Sequence, residues 1–217
     1  MDAFAIESLT RAQRAIDDGL NQKEIAPVTI RTRRGEHTVS IDEQPHKANL
    51  EKIPQLRPAF AENGTITPAN SSSISDGASA LLLASEQAVE THGLTARARI
   101  VAHSRNSLAP EAFTLAPIGA AEDVLAKAGW AVADVDLWEI NEAFAMVTML
   151  TMDALKLDPS CVNVHGGACA QGHPIGSTGS RIIVTLMHAL EHYGKKRGVA
   201  ALCIGGGEAT AVAIELV

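Results

Sequence analysis

The 217-residue sequence predicts an α/β fold, a mixed sheet between helical layers. Three observations carry that expectation. From Arg97 onward, short apolar runs alternate with stretches of helical period, the pattern of strands laid beside helices. Alanine and glycine are abundant while aromatic residues are 3% of the chain, a composition suited to helices packed closely on a sheet. Hydrophobic residues make up 46%, ample for a packed core at this length.

The elements follow in order. Asp2 to Asp18 sets Phe4, Ile6, Leu9, Ala12, Ala15 and Ile16 at helical spacing and stops at Gly19, so an amphipathic surface helix with a glycine C-cap is expected. Pro27–Arg33 and Glu36–Ile41 flank Arg34-Gly35 and read as a hairpin. Asp42 to Asn63 is polar, carries Pro45, Pro54 and Pro58 and has no clear period. It reads as a long irregular excursion, and such loops are often functional. Asp76 is placed to cap a helix that runs to about Thr91 and closes at Gly93. The middle of that helix, Ala78-Ser-Ala-Leu-Leu-Leu-Ala, is almost wholly apolar and calls for burial on more than one side.

Alternation then sets in: strand Arg97–His103, helix Ala116–Ala128, strand Val135–Ile140, helix Glu142–Leu155, strand Val162–Val164, helix Ser177–His192, strand Val199–Ile204 and a last strand Thr210–Leu216. The final two strands, joined around Gly205-Gly-Gly207, form a tight antiparallel pair.

Composition excludes several functions. A net charge of -7 with only short basic runs, Arg31 to Arg34 and Lys195 to Arg197, argues against a nucleic-acid partner. The longest uncharged apolar segments fall far short of a membrane span, and Met1-Asp-Ala-Phe-Ala-Ile-Glu has no secretory-signal pattern. Cys161, Cys169 and Cys203 make neither a disulfide framework nor a zinc site, so a reducing cytoplasm is the default compartment. His188 and His192, four apart on a helix, read as a surface pair, and no metal is expected.

Chemistry concentrates in Gly166–Arg181, where glycines and Pro174 surround His173 before a helix opens. Glycine is used where the backbone takes positive φ or approaches a ligand, so His173 reads as functional by itself. Asn141, after the strand ending at Ile140, and Cys203, at the end of the strand Val199–Ile204, stand at strand carboxyl ends, where ligands of α/β sheets gather. Alone, Asn141 reads as a helix N-cap and Cys203 as a small buried hydrophobe. The amides of Gly205-Gly-Gly207 are suited to holding an oxyanion or to an ordinary turn.

Together these segments resemble the thiolase family. Asn141-Glu-Ala-Phe-Ala, Gly166-Gly-Ala-Cys-Ala-Gln-Gly-His-Pro-Ile-Gly and Cys203-Ile-Gly-Gly-Gly stand in thiolase order and spacing, and Asn70-Ser-Ser-Ser-Ile-Ser-Asp-Gly is similar to the family's acyl-CoA segment. The resemblance implies joining or cleaving of coenzyme A thioesters, substrates rather than a prosthetic group, through an acyl-cysteine. Cys203 would be the acid/base, a role that suits a thiol if glycine amides and nearby dipoles favour its thiolate. His173 would activate the nucleophile and bind a thioester oxygen, Asn141 would hold a water there, and Gly205 would lend an amide to a second oxyanion hole. Ser72, Phe60 and Phe144 would line the pantetheine channel. His165 is expected beside the site.

No cysteine here matches the family's nucleophile. The chain therefore resembles a C-terminal half, with the nucleophile-bearing N-terminal half absent: residues 1–74 as remaining loop region, 75–96 as a helix belonging with the missing half, and 97–217 as the C-terminal domain. The segment from Asp42 to Phe60 looks closer to acetoacetyl-CoA enzymes than to long-chain ones. Thiolases are usually oligomers, so a homo-oligomer or association with an N-terminal half is expected. The competing expectation is a catalytically incomplete acyl-CoA-binding or structural subunit.

Overall fold

A computed structural model describes residues 1–217. In chain order it has α1 (Asp2–Asp17), the hairpin β1 (Val28–Thr32) and β2 (Gly35–Val39), a single turn α2 (Gln44–Lys47), α3 (Glu86–His92), β3 (Ala98–Ser107), α4 (Ala116–Ala128), β4 (Leu137–Ile140), α5 (Ala145–Leu155), the short α6 (Ala168–Gln171), α7 (Thr178–His192), β5 (Arg197–Ile204) and β6 (Glu208–Leu216). No helix is long and apolar enough to cross a membrane.

The main sheet has the order β3-β6-β5-β4. Antiparallel pairs join β3 to β6 and β5 to β6, whereas β4 runs parallel to β5, with Leu137 opposite Gly198 and Ile140 opposite Ala201. One face carries α4, whose Ala116, Ala120, Ala121 and Val124 pack with Val199, Ala201, Ala209, Ala211 and Ala213. Small side chains on both surfaces let helix and sheet approach closely, so the alanine-rich composition has a packing reason. The other face carries α7, with Ile182, Leu186, Ala189 and Leu190 against Leu137, Ala200 and Ile214. A Cβ at Gly198 would come within 2.8 Å of Leu186, so this strand position needs glycine for close approach.

The turn between β5 and β6 uses Gly206 at φ 106 and Gly207 at φ 96, and the carbonyl of Gly207 accepts from the amide of Leu108 at 2.8 Å. The predicted helices over Asp2–Asp18, Ala116–Ala128 and Ser177–His192 form within one residue of their expected ends, and the hairpin forms as read. The Asp42–Asn63 excursion is irregular apart from α2 and one 3-10 turn over Leu50–Gln55.

The helix expected over Glu142–Leu155 begins only at Ala145, and two elements differ further from expectation. The helix over Asp76–Thr91 shrinks to α3, capped by Ser85 Oγ, which accepts from Ala88 N at 3.2 Å, and closed by Gly93 at φ 59. Residues 75–85 have no regular structure, and Leu82 and Leu83 are 86% and 70% exposed. An apolar run of this length without helical period suits a strand buried on both faces as well as it suits a helix, and no neighbouring strand pairs with it.

The second is Val162–Val164, which is not a strand. Val162 makes one isolated parallel bridge to Trp138, and Asn163 then turns to φ 48. Its side-chain amide replaces the backbone ladder: Nδ2 donates to Ile140 O and Oδ1 accepts from Ile140 N, each at 2.8 Å. Asparagine tolerates this left-handed geometry better than most residues.

Candidate active site

Asn141 emerges from the carboxyl end of β4, its amide donating to Ala201 O on β5 at 2.9 Å. It is not the helix cap that its position alone suggested. Phe144 occupies the N-cap of α5, so Asn141-Glu-Ala-Phe is a non-helical entry segment. Asn141 is 2% exposed, and its Oδ1 is buried without a protein partner. Buried polar atoms are rarely left unpaired, so this oxygen marks a place for a water or a ligand.

Asn141 faces His173, with 3.4 Å between its Nδ2 and the imidazole Nε2. The far side of the ring fixes its tautomer. Thr178 Oγ1 lies 2.6 Å from His173 Nδ1 and 2.9 Å from Pro174 O. A carbonyl only accepts and a hydroxyl has one proton, so Thr178 donates to Pro174 and accepts from His173 Nδ1–H. Nε2 is left with its lone pair toward Asn141. Burial, followed by the positive charge of Arg181, lowers the histidine's pKa and keeps it a neutral base.

Segment Ser71–Gly77 joins the two loops. Ser72 donates from both its amide and Oγ to Ala143 O at 3.0 Å, and Ser73 O accepts from the amide of His173 at 3.0 Å. A Cβ at Gly77 would lie 2.8 Å from Pro174. Phe144 meets Phe60 at 6.4 Å and Phe113 at 6.1 Å between ring centroids, both edge-on. Ser72, Phe60 and Phe144 thus lie together beside the Asn141 and His173 loops. Phe113, the third ring, was not legible because it lies in a separate 3-10 turn, Pro110–Leu115.

Cys203 lies at the same carboxyl end of β5, two residues beyond the one opposite Ile140. It is 7% exposed, and no hydrogen bond joins it to His173 or Asn141. Burial pushes its thiol up to about 11 and so favours the neutral thiol, opposing the condition under which amides would favour a thiolate here. Gly205 follows on the exposed turn, and its N–H donates to no protein acceptor. It is open to an oxyanion.

The remaining candidates lie elsewhere. His165 is buried but faces His192 and Tyr193 at the far end of α7, at centroid distances of 6.3 and 5.7 Å, and burial lowers its pKa to about 4. It does not flank His173. His188 turns to Arg97 and Glu191, and no group of three or more histidine, cysteine, aspartate or glutamate side chains is placed to hold a metal. Burial raises the pKa of Cys161, and burial with the Glu142 carboxylate raises that of Cys169 further.

Sequence reasoning missed the carboxylate beneath the site. Glu142, 1% exposed, accepts from Ser8 Oγ at 2.7 Å, Asn163 Nδ2 at 2.9 Å and Cys169 N at 3.0 Å. Its place directly after Asn141 was the available signal, but Ser8 is 134 residues away.

Residues 94–216 match the family model described as the C-terminal domain of thiolase, and residues 1–87 match that of the thiolase N-terminal domain. The second match corrects the expectation that the N-terminal half is absent: part of that domain is represented here. Over 217 residues the chain is 46% identical to the cytosolic acetyl-CoA acetyltransferase of Mus musculus, covering 99% of this chain and 55% of the relative. Over 215 residues it is 42% identical to the mitochondrial 3-ketoacyl-CoA thiolase of Bos taurus, covering 99% and 54%. The acetyl-CoA acetyltransferase of Bacillus anthracis superposes with a TM-score of 0.96 at 41% identity, and a thiolase from Ascaris suum in complex with coenzyme A with 0.92 at 42%. Each match covers 100% of this chain and 55% of the other. The chain thus spans about half the length of the curated relatives it matches.

Proposed function

Since the chain belongs to the thiolase family, we propose that it supplies the acid/base and oxyanion half of an acetyl-CoA acetyltransferase site, acting on short coenzyme A thioesters. The observation that carries this reading is the 3.4 Å approach of Asn141 Nδ2 to His173 Nε2, beside an Asn141 oxygen that no protein group satisfies. In the cleavage direction, His173 Nε2 takes the proton of a cysteine thiol supplied by the complementary thiolase sequence as that sulfur bonds to C3 of the substrate, and then, as N–H, holds the oxygen of the 3-keto group with an Asn141-bound water. The bond between C2 and C3 breaks with its electron pair left on C2, and the C3 acyl group stays on that sulfur as a thioester until coenzyme A takes it up. The neutral Cys203 thiol protonates that carbon, releasing acetyl-CoA, and the amide of Gly205 holds the thioester oxygen of the departing enolate. Ser72, Phe60 and Phe144 line the approach of the pantetheine arm.

A second reading has a specific observation behind it. All three thiols are held neutral, so none is poised as the acylated nucleophile, and the exposed run Ala80–Ala84 offers an apolar surface. On this reading the chain binds acyl-CoA and needs further thiolase sequence, docked on that run, to supply a thiolate. Homo-oligomer formation and a cytoplasmic setting, the latter suggested by the name of the mouse relative, belong to the same proposal.

The test is coenzyme A-dependent cleavage of acetoacetyl-CoA by the chain, alone and with a polypeptide carrying the rest of a related thiolase, and intact mass after acetyl-CoA. Turnover only in the mixture, falling by about 10²-fold or more for Cys203→Ala and His173→Ala, is expected. Undiminished turnover in these variants would overturn the assignment.

A further inference from the structure

We infer that Glu142 is a positioning residue: its buried carboxylate clamps the Asn141 entry segment to the loop that leads into His173, and so sets the separation of the oxyanion pair. The inference rests on the reading of Asn141 and His173 given above. It deepens that reading by naming what holds the pair in register.

The carboxylate ties three pieces of chain that have no continuous secondary structure between them. One oxygen accepts from Ser8 on α1 and from the amide of Cys169 at the start of α6, while the other accepts from Asn163. Ser8 Oγ itself accepts from the amide of Gly167 at 3.0 Å. A Cβ at Gly167 would collide with the Glu142 carboxylate, and one at Gly166 would lie 2.7 Å from Ala12. The paired glycines therefore exist to let loop, helix and carboxylate meet. From Cys169 the chain reaches His173 through one turn of α6, and from Glu142 it reaches Asn141 through one peptide bond.

A carboxyl group this deep is held only where hydrogen-bond partners surround it. Every assigned partner of Glu142 is a donor, and burial is the main force raising its pKa, opposed first by the hydrogen bond from Asn163 and then by that from Ser8. Glutamine in its place would direct an NH₂ group at one of those donors, losing that contact and adding a repulsion. The cost would fall on the loop, since Asn141 is held separately by its backbone bond to Ala201.

The experiment is NMR titration of the His173 imidazole, with ¹⁵N-labelled histidine, in the full chain and in Glu142→Gln, with Ser8→Ala as the milder variant. Loosening of the loop admits water and raises the His173 pKa toward its ordinary value, with a change in the Nε2 shift. Loss of a negative charge by itself would lower that pKa, so the sign separates positioning from through-space electrostatics. The expected result is a rise in Glu142→Gln and a smaller one in Ser8→Ala. An unchanged or lowered pKa in folded Glu142→Gln overturns the proposal. If Glu142→Gln does not fold, Ser8→Ala decides: a His173 signal identical to that of the parent chain overturns it. Because this readout needs neither coenzyme A nor turnover, its failure is distinct from failure of the thiolase chemistry.

Discussion

Two apolar stretches of this chain, each expected to be helical, met different fates. Thr178–His192 forms α7, with Ile182, Leu186, Ala189 and Leu190 buried on one side and Glu191 and His192 exposed. Ala80–Ala84 lies without regular structure, Leu82 and Leu83 largely in solvent. Apolar content does not separate them. Periodicity does: α7 repeats large side chains at Ile182, Leu186 and Leu190 along the face that meets the sheet, with Ile183, Val184 and Met187 half-buried beside it, whereas the leucine run is too short to repeat any stripe. A one-sided stripe can be satisfied by one layer, and this chain supplies that layer for α7 but none for the leucine run.

The largest effect that sharpens this contrast is Leu186→Ala. Leu186 is fully buried and lies against Gly198, where strand and helix approach most closely. Truncation removes the transfer free energy and leaves a cavity in a layer that cannot easily collapse, a loss of about 3 kcal/mol. Urea unfolding followed by the fluorescence of buried Trp138 measures it. A loss below about 1 kcal/mol would mean that the α7 face is far less tightly packed than its burial implies.

The same contrast governs what was legible in the sequence. The helices α1, α4 and α7 were legible because their periods survive in the packing, and β5 and β6 because apolar runs flank a glycine turn. That Asn141 and His173 lie near each other was legible from their motifs, and for Asn141 also from its place at the end of β4, and the structure sets them 3.4 Å apart; the strand expected before the His173 loop does not form. Elements that depend on distant residues were not. Asn163 replaces a strand with a side-chain bracket on Ile140, and Glu142 depends on Ser8, which is distant in sequence. The state of the Cys203 thiol was not legible for a related reason: glycine amides can be read from sequence, but the burial that pushes the thiol up to about 11 depends on how the end of β5 is covered.

A second test exploits a buried acid in the well-packed region. Glu139 on β4 is 2% exposed, has one oxygen without a partner, and burial pushes it up to about 8. The native state keeps its proton at pH values where the unfolded chain, titrating near 4.5, has lost it. Unfolding then releases a proton, so this group lowers stability as pH rises between those values, by at most about 1.4 kcal/mol per pH unit, and adds no further slope above pH 8. Glu139→Gln removes that slope. Relative to the parent chain the variant should gain about 3 kcal/mol at pH 8 over its standing at pH 5, measured by urea midpoints at both values. A constant difference would show that Glu139 does not titrate in that window.

The smallest expected effect lies on the other side of the comparison. Leu82→Ser removes a side chain that is 86% exposed, so it forfeits little burial and leaves no cavity. The unfolding free energy should stay within about 0.5 kcal/mol of the parent. What should change is association: three leucines in a row on an irregular, unpaired segment present an apolar surface to any partner, and serine interrupts it. Sedimentation should therefore show weaker self-association, or weaker capture of a complementary thiolase segment, at unchanged stability. A stability loss approaching that of Leu186→Ala would mean that the run is packed in solution, and the difference between the two stretches would then lie in what covers them and not in their periodicity.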